Sequence, residues 1–161
     1  MIALMRVDDR LLHGQVAFSW LSVIGAKAIV IANDQYASNP MLKMSLTIGK
    51  PPGVELLVLD KKQAILKLQN QDVKKAMLIV QNIEDAYEVA KGLSAVKEIC
   101  IGGVRDGANK RQVYKTVYLN EQEIEMIADL IQQGMSVYIQ DVPISKKIEN
   151  QEIIKKFRES R

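Results

Sequence analysis

Short runs of apolar residues alternate along this chain with longer segments in which apolar positions recur every three or four residues. The short runs fall at residues 2–7 (IALMRV), 28–32 (AIVIA), 54–59 (VELLVL), 76–80 (AMLIV), 98–102 (EICIG), 115–119 (KTVYL) and 136–140 (SVYIQ). Several are nearly unbroken, which predicts strands covered on both faces. Their brevity and the flanking Gly, Asn and Asp favour strands over buried helices. The longer segments carry helix start signals. Asn39-Pro40 sets a capping side chain before a proline suited to the first turn, and that helix runs towards Gly49 and the break KPPG. Asn82 with Asp85, and Asn120 with Glu123, repeat a capping-box arrangement, and Gly134 is a C-terminal stop. Residues 12–24 and 61–69 supply two more helices, and 145–160 reads as a polar terminal helix. This alternation predicts an α/β fold: a three-layer α/β/α single domain over residues 1–161, with a mostly parallel central sheet of about six to seven strands. The stretch GGVRDGANKRQVYKTVYL interrupts the pattern, reading as strand, Gly-rich loop, strand with no room for a helix.

Composition narrows the function classes. The 22 basic and 19 acidic residues leave a net charge of +3. That surplus is small for a dedicated nucleic-acid binder, and no Lys/Arg run is interleaved with aromatics; no nucleic-acid partner is expected. A mild basic excess still suits a phosphate-bearing or acidic partner. Cys100 is the only cysteine, so neither an internal disulfide nor a Cys-based metal site is available. No apolar run reaches the roughly 18–20 residues that span a bilayer, and the N-terminus lacks a signal pattern. The expectation is a cytoplasmic protein.

The chemistry concentrates in VDDRLLHGQV, residues 7–16, where the first strand ends. In open α/β sheets the reactive crevice lies beyond the carboxyl ends of the strands. Asp8 to Gly14, Asn33-Asp34, Gly102 to Arg105 and the segment 140–143 are expected to converge there. His13 is the only histidine of the chain, and an imidazole is both a nucleophile and a proton carrier. At a helix start, the free N–H groups of Gly14, Gln15 and Val16 favour an anion beside it. Gly14 lets backbone approach that anion closely. Arg10 offers a planar fork of donors to a phosphoryl group. Asp8 or Asp9 either accepts a proton from one imidazole nitrogen or orients Arg10. The plainer alternative is a surface histidine at a helix start with no role.

Other residues read both ways. Gly102-Gly103 with Arg105 form either a flexible anion-binding loop, with Lys110 and Arg111 close by, or an ordinary turn. Asn33 and Asp34 line the crevice or merely stop the second strand. Trp20 is expected in the core, Cys100 buried as a small hydrophobe, and Met41 and Met44 as packing residues. Asp8, Asp9 and Asp60 also permit a Mg²⁺-binding aspartyl-phosphate receiver domain. That reading leaves His13 unexplained and finds no lysine at the end of a late strand; Asp60 reads better as a helix cap. With one histidine, neither a usual zinc site nor a His-based triad is available. A non-catalytic α/β binding module is the remaining alternative.

The segment MRVDDRLLHGQVAFSW resembles the N-terminal signature of the IIB subunits of the mannose/fructose/sorbose class of the bacterial phosphoenolpyruvate-dependent sugar phosphotransferase system, R-[IV]-D-[DE]-R-L-[IL]-H-G-Q-V followed by a tryptophan. IVIANDQYASNP, PPGVELLVL, CIGGVRDGANKRQVYKTVYLNEQE and VYIQDVP resemble further segments of that family in the same order, so the likeness spans essentially the whole chain. The resemblance implies a phosphotransferase. His13 would accept a phosphoryl group on Nδ1 from a phosphohistidine of a IIA protein and pass it to a hexose or N-acetylhexosamine during uptake through the membrane subunits IIC and IID. Arg10 would face the phosphate, with Asp8, Asp9, Gly14 and Gln15 completing the loop. The group rides covalently, so neither cofactor nor metal is expected, and the work is done in the cytoplasm, transiently at the inner face of the membrane. Two departures stand out: Ile144-Ser145 follow V-P where many relatives carry an Asp or an Asn-Asp pair, and the chain starts at the IIB motif without a fused IIA domain, so a separate IIA donor is expected.

Overall fold

In the computed structural model, which describes residues 1–160, the first half of the chain runs β1 (Ile2–Asp8), α1 (Gly14–Ile24), β2 (Ala28–Ala32), α2 (Asp34–Ser38), α3 (Pro40–Ile48), β3 (Glu55–Leu59), α4 (Lys61–Gln69) and β4 (Ala76–Val80). The second half runs α5 (Ile83–Gly92), β5 (Glu98–Gly103), β6 (Arg111–Tyr114), β7 (Val117–Leu119), α6 (Glu121–Gln132), β8 (Ser136–Ile139), β9 (Ile148–Glu149) and α7 (Gln151–Glu159). Seven strands form the central sheet in the order β3-β2-β4-β1-β5-β8-β9. All its pairings are parallel except β8 with β9. The three-layer α/β/α expectation is met.

The unbroken apolar runs sit where both faces are covered. Every residue of β2 and β4 is buried, whereas edge strand β3 is partly open. One face of the sheet is packed by Ala17, Trp20 and Leu21 of α1 and Leu46 of α3. The other is packed by α4, α5, α6 and α7, with the β6-β7 hairpin joining the same cluster through Val113, Val117 and Leu119. β1 therefore leads into a helix on one face, while its neighbours β4 and β5 lead to helices on the other. That reversal opens a crevice at the carboxyl end of β1. No helix among the described residues is long and apolar enough to cross a membrane.

Several sequence expectations shift. The expected strand at 115–119 begins at Val117; residues 115–116 form the turn of the hairpin, whose other arm β6 was hidden in polar sequence. The terminal helix begins at Gln151 rather than 145 and is not a merely polar one. Ile153 and Phe157 are buried in the core, and Ile148 lies in β9, antiparallel to β8. The short helix α2, for which no start was read in the sequence, is capped by Asn33, whose side chain accepts from Tyr36 N.

Candidate functional site

The turn that follows β1 is built by two leucines. Leu11 takes a left-handed conformation (φ 58) and donates from N to Asp8 O at 2.9 Å. That conformation is unfavourable for a γ-branched residue, and burial of the Leu11 and Leu12 side chains beneath α1 offsets it. With the leucines turned inward, Arg10 and His13 face solvent. Asp9 N donates to Gly103 O at 3.0 Å, which ties the turn to the end of β5.

His13 is the N-cap of α1, in an extended conformation, and its side chain makes no capping bond. Its carbonyl accepts the first helical bond, from Ala17 N at 2.9 Å. α2 to α6 are each capped by an Asn or Asp side chain, namely Asn33, Asn39, Asp60, Asn82 and Asn120. At α1 the N–H groups of Gly14, Gln15 and Val16 have no such partner, and the first turn contains no acid. An unclaimed helix start of this kind attracts an anion through donors and dipole together. The space beyond Gly14 Cα is open, with no atom within 4 Å of where a Cβ would stand.

Beside it lies a chain of charge. Arg10 Nε donates to Asp8 Oδ1 and Nη2 to Asp8 Oδ2, both at 3.0 Å, while Arg10 N also donates to Oδ1 at 3.0 Å. This bidentate pairing holds the Arg10 guanidinium above its ordinary pKa. Asp8 is 1% exposed, whereas the Arg10 side chain is 40% exposed, so the acid is the foundation and the arginine the working face. Asp9 in turn accepts from Arg105 N at 2.8 Å and from its Nε at 3.1 Å. Asp8 thus orients Arg10, one of the two roles the sequence left open to the acids, whereas Asp9 holds Arg105 instead. Asp9, Arg10, Gly103, Arg105, Lys115 and Thr116 line a pocket of about 280 Å³.

The expected convergence is partial. Asn33 and Asp34 lie at the end of β2, separated from β1 by β4. Asn33 Nδ2 donates to Gln81 Oε1 while its Oδ1 caps α2, and Asp34 Oδ1 accepts from Lys61 N at the start of α4, so both are engaged in holding helix starts. Gly102 and Gly103 are not a flexible loop: both are buried in β5. A Cβ on Gly102 would fall inside the Arg6 guanidinium, and one on Gly103 would stand 3.3 Å from Asp8 Oδ1. The glycines make room for the charges. Lys110 pairs with Glu123 and Arg111 stacks on Phe157, so neither joins the site. Asp60 caps α4 from the edge strand, apart from Asp8 and Asp9. Among the described residues no three His, Cys, Asp or Glu side chains group as metal ligands, so the receiver arrangement of acids does not form.

Arg6 opens the signature matched in the sequence but was assigned no role there. It is 2% exposed within β1, 3.6 Å from Asp8 Oδ2 and opposite Cys100 in the β1-β5 register. Its signal was a lone charge inside an apolar run, with Gly102-Gly103 on the strand alongside. Asp141, within the segment 140–143 expected at the crevice but not singled out there, receives Arg6 Nη2 at 2.8 Å and Trp20 Nε1 at 3.1 Å on its carbonyl.

Comparison with known proteins adds an independent line. The family model described as PTS system sorbose subfamily IIB component matches residues 2–161. A probable phosphotransferase enzyme IIB component of Streptococcus pyogenes is 31% identical, with 96% of this chain and 99% of that protein covered. The PTS system mannose-specific EIIAB component of Escherichia coli is 30% identical over 97% of this chain, which spans 49% of that longer protein. Among solved structures, the IIBSor domain of the sorbose permease from Klebsiella pneumoniae matches with a TM-score of 0.88 at 27% identity, covering 96% of each chain. The manxB structure from Thermoanaerobacter tengcongensis matches at 0.89 and 30% identity, covering 98% of this chain and 96% of that one.

Proposed function

Because this chain belongs to the sorbose subfamily of PTS IIB components, we propose that it carries a phosphoryl group on His13, taken from a phosphohistidine of a IIA protein and delivered to a hexose or N-acetylhexosamine. The observation that carries this reading is the exposed His13 imidazole at the one helix start among α1 to α6 that no side chain caps.

In the first transfer the lone pair of an imidazole nitrogen of His13, Nδ1 by family expectation, attacks phosphorus. A new N–P bond forms as the donor's N–P bond breaks, and the donor imidazole recovers its electron pair. In the second, a sugar hydroxyl attacks; an O–P bond forms, the His13 N–P bond breaks, and the hydroxyl proton leaves to solvent or to the released imidazole. Phosphoryl transfer asks the protein mainly for alignment and charge stabilisation. The N–H groups of Gly14, Gln15 and Val16 and the Arg10 fork supply these, and Arg105 and Lys115 add positive charge at the rim. A carrier must also release its cargo. Arg10, already paired with Asp8, holds the phosphoryl oxygens less firmly than a free arginine or a divalent ion would, so no metal or separate cofactor is required.

The same reading sets the partners: a IIA donor, then membrane subunits IIC and IID carrying the sugar, met in the cytoplasm at the inner face of the membrane. The test is uptake of label from a phosphorylated IIA protein. The wild-type chain takes up label in an acid-labile, alkali-stable linkage, and His13→Ala takes up none. Label that persists in His13→Ala, or that hydroxylamine cleaves, contradicts the reading and returns the choice to an aspartyl phosphate.

A further inference from the structure

Arg6 is a full positive charge held almost wholly out of water. A buried guanidinium carries a large desolvation cost unless it is paired and hydrogen-bonded. Here it is both. Nη1 donates to Gln140 O at 3.0 Å and to Cys100 Sγ at 3.2 Å, Nη2 donates to Asp141 O at 2.8 Å, and the guanidinium carbon lies 5.3 Å from the centroid of the Trp20 ring. Its counter-charge is Asp8, at 3.6 Å, already bound bidentately by Arg10.

We propose that Arg6 is a positioning residue for phosphoryl transfer, acting through Asp8 on Arg10 and through Asp141 on the loop that follows β8. The inference rests on the function proposed for His13. Two physical consequences support it. The first is charge: Asp8 and Arg10 alone would neutralise one another, leaving the exposed guanidinium with little net pull on an incoming phosphoryl group. With Arg6 sharing Asp8, the triad holds two positive charges against one negative. The second is connection: Arg6 and Trp20 both grip the Asp141 carbonyl, and Trp20 belongs to the helix whose first turn adjoins His13. The Gln140 side chain continues the grip, donating from Nε2 to Pro143 O and Ser145 O. Ile144, 96% exposed at the tip of that loop, is thereby held at a fixed place. Arg6 thus ties the charge that receives the phosphoryl group to a loop exposed on the surface.

The two consequences separate in kinetics. Phosphoryl uptake by His13 is measured across a series of phospho-IIA concentrations for the wild type, Arg6→Met, Arg6→Lys and Trp20→Phe, with thermal unfolding in parallel. Arg6→Met loses charge and tether, and the expected result is a fall of about tenfold in kcat, less than deletion of a donor that touches the transferring group directly. Arg6→Lys keeps the charge and loses the fork, so kcat stays within about threefold of wild type while KM rises. Trp20→Phe keeps an aromatic face and loses one donor to Asp141, raising KM alone. If Arg6→Met does not fold, Arg6→Lys decides: a raised KM at near-normal kcat supports the proposal, and a collapse of kcat overturns it. Wild-type kinetics in Arg6→Met, or equal losses of kcat in the Met and Lys variants, overturn it as well. Absence of label on His13 of the wild type removes the function itself, whereas label on His13 with unaffected Arg6 variants removes this inference alone.

Discussion

Asp8 answers to two arginines and is buried with one of them. Replacing it by Asn removes the bidentate acceptor of Arg10 and leaves Arg6 without a counter-charge. Breaking one side of a buried ion pair costs about 3–5 kcal/mol, so Asp8→Asn is expected to lower the urea midpoint sharply with an unchanged slope. An unaltered midpoint would show that the pairing adds nothing. Cys100 allows a second check. Burial pushes its thiol up to about 11 from an ordinary value of 9.0, although Arg6 pulls in the opposite direction. The folded value lies above the unfolded one, so this contribution is complete below pH 9 and is lost as pH rises from there towards 11. The stability difference between the wild type and Cys100→Ala should therefore move against the wild type across that window and stay flat below it.

The elements were legible where local chemistry alone decides them. Asn39, Asn82 and Asn120 each announced a helix and each accepts a backbone N–H at its start, with the full reciprocal capping box at Asn120 and Glu123. Asn120→Ala should cost about 1 kcal/mol, read as a shift in the chemical-denaturation midpoint. β6, β9 and the true start of α7 were not legible, because tertiary contacts specify them. Ile148 and Glu149 make a strand only because β8 offers an edge, and Asn150, at φ 48, fastens it by accepting from Val137 N. The polar sequence around α7 masked Ile153 and Phe157, both fully buried. Phe157→Ala should cost about 3–5 kcal/mol in the same assay; a loss below about 1 kcal/mol would mean that α7 is not part of the cooperative fold. The site followed the same rule. The sequence of its loop exposed His13, Arg10 and the two acids, but Arg6, Trp20 and Asp141 meet only once β1, α1 and β8 are brought together.

At the scale of the molecule, the sheet order explains why the histidine sits where it does. β1 is central, its neighbours send their helices to the opposite face, and the turn after it is the natural mouth of the crevice. The mouth carries Arg10, Arg105 and Lys115, each paired with an acid (Asp8, Asp9 and Asp141 in turn), and the chain as a whole carries a net charge of +3. A surface of this sign should speed encounter with a phosphorylated donor, so kcat/KM for phospho-IIA is expected to fall as ionic strength rises; a salt-independent value would remove electrostatic steering from the account. The most direct measurement exploits the single histidine of the chain. Protein labelled with ¹⁵N-histidine is mixed with phosphorylated IIA, and the imidazole nitrogens are observed for coupling to ³¹P. The account predicts one imidazole nitrogen split by phosphorus, with the splitting removed when sugar and permease membranes are added. Phosphate label on the protein with both imidazole nitrogens unsplit would contradict it.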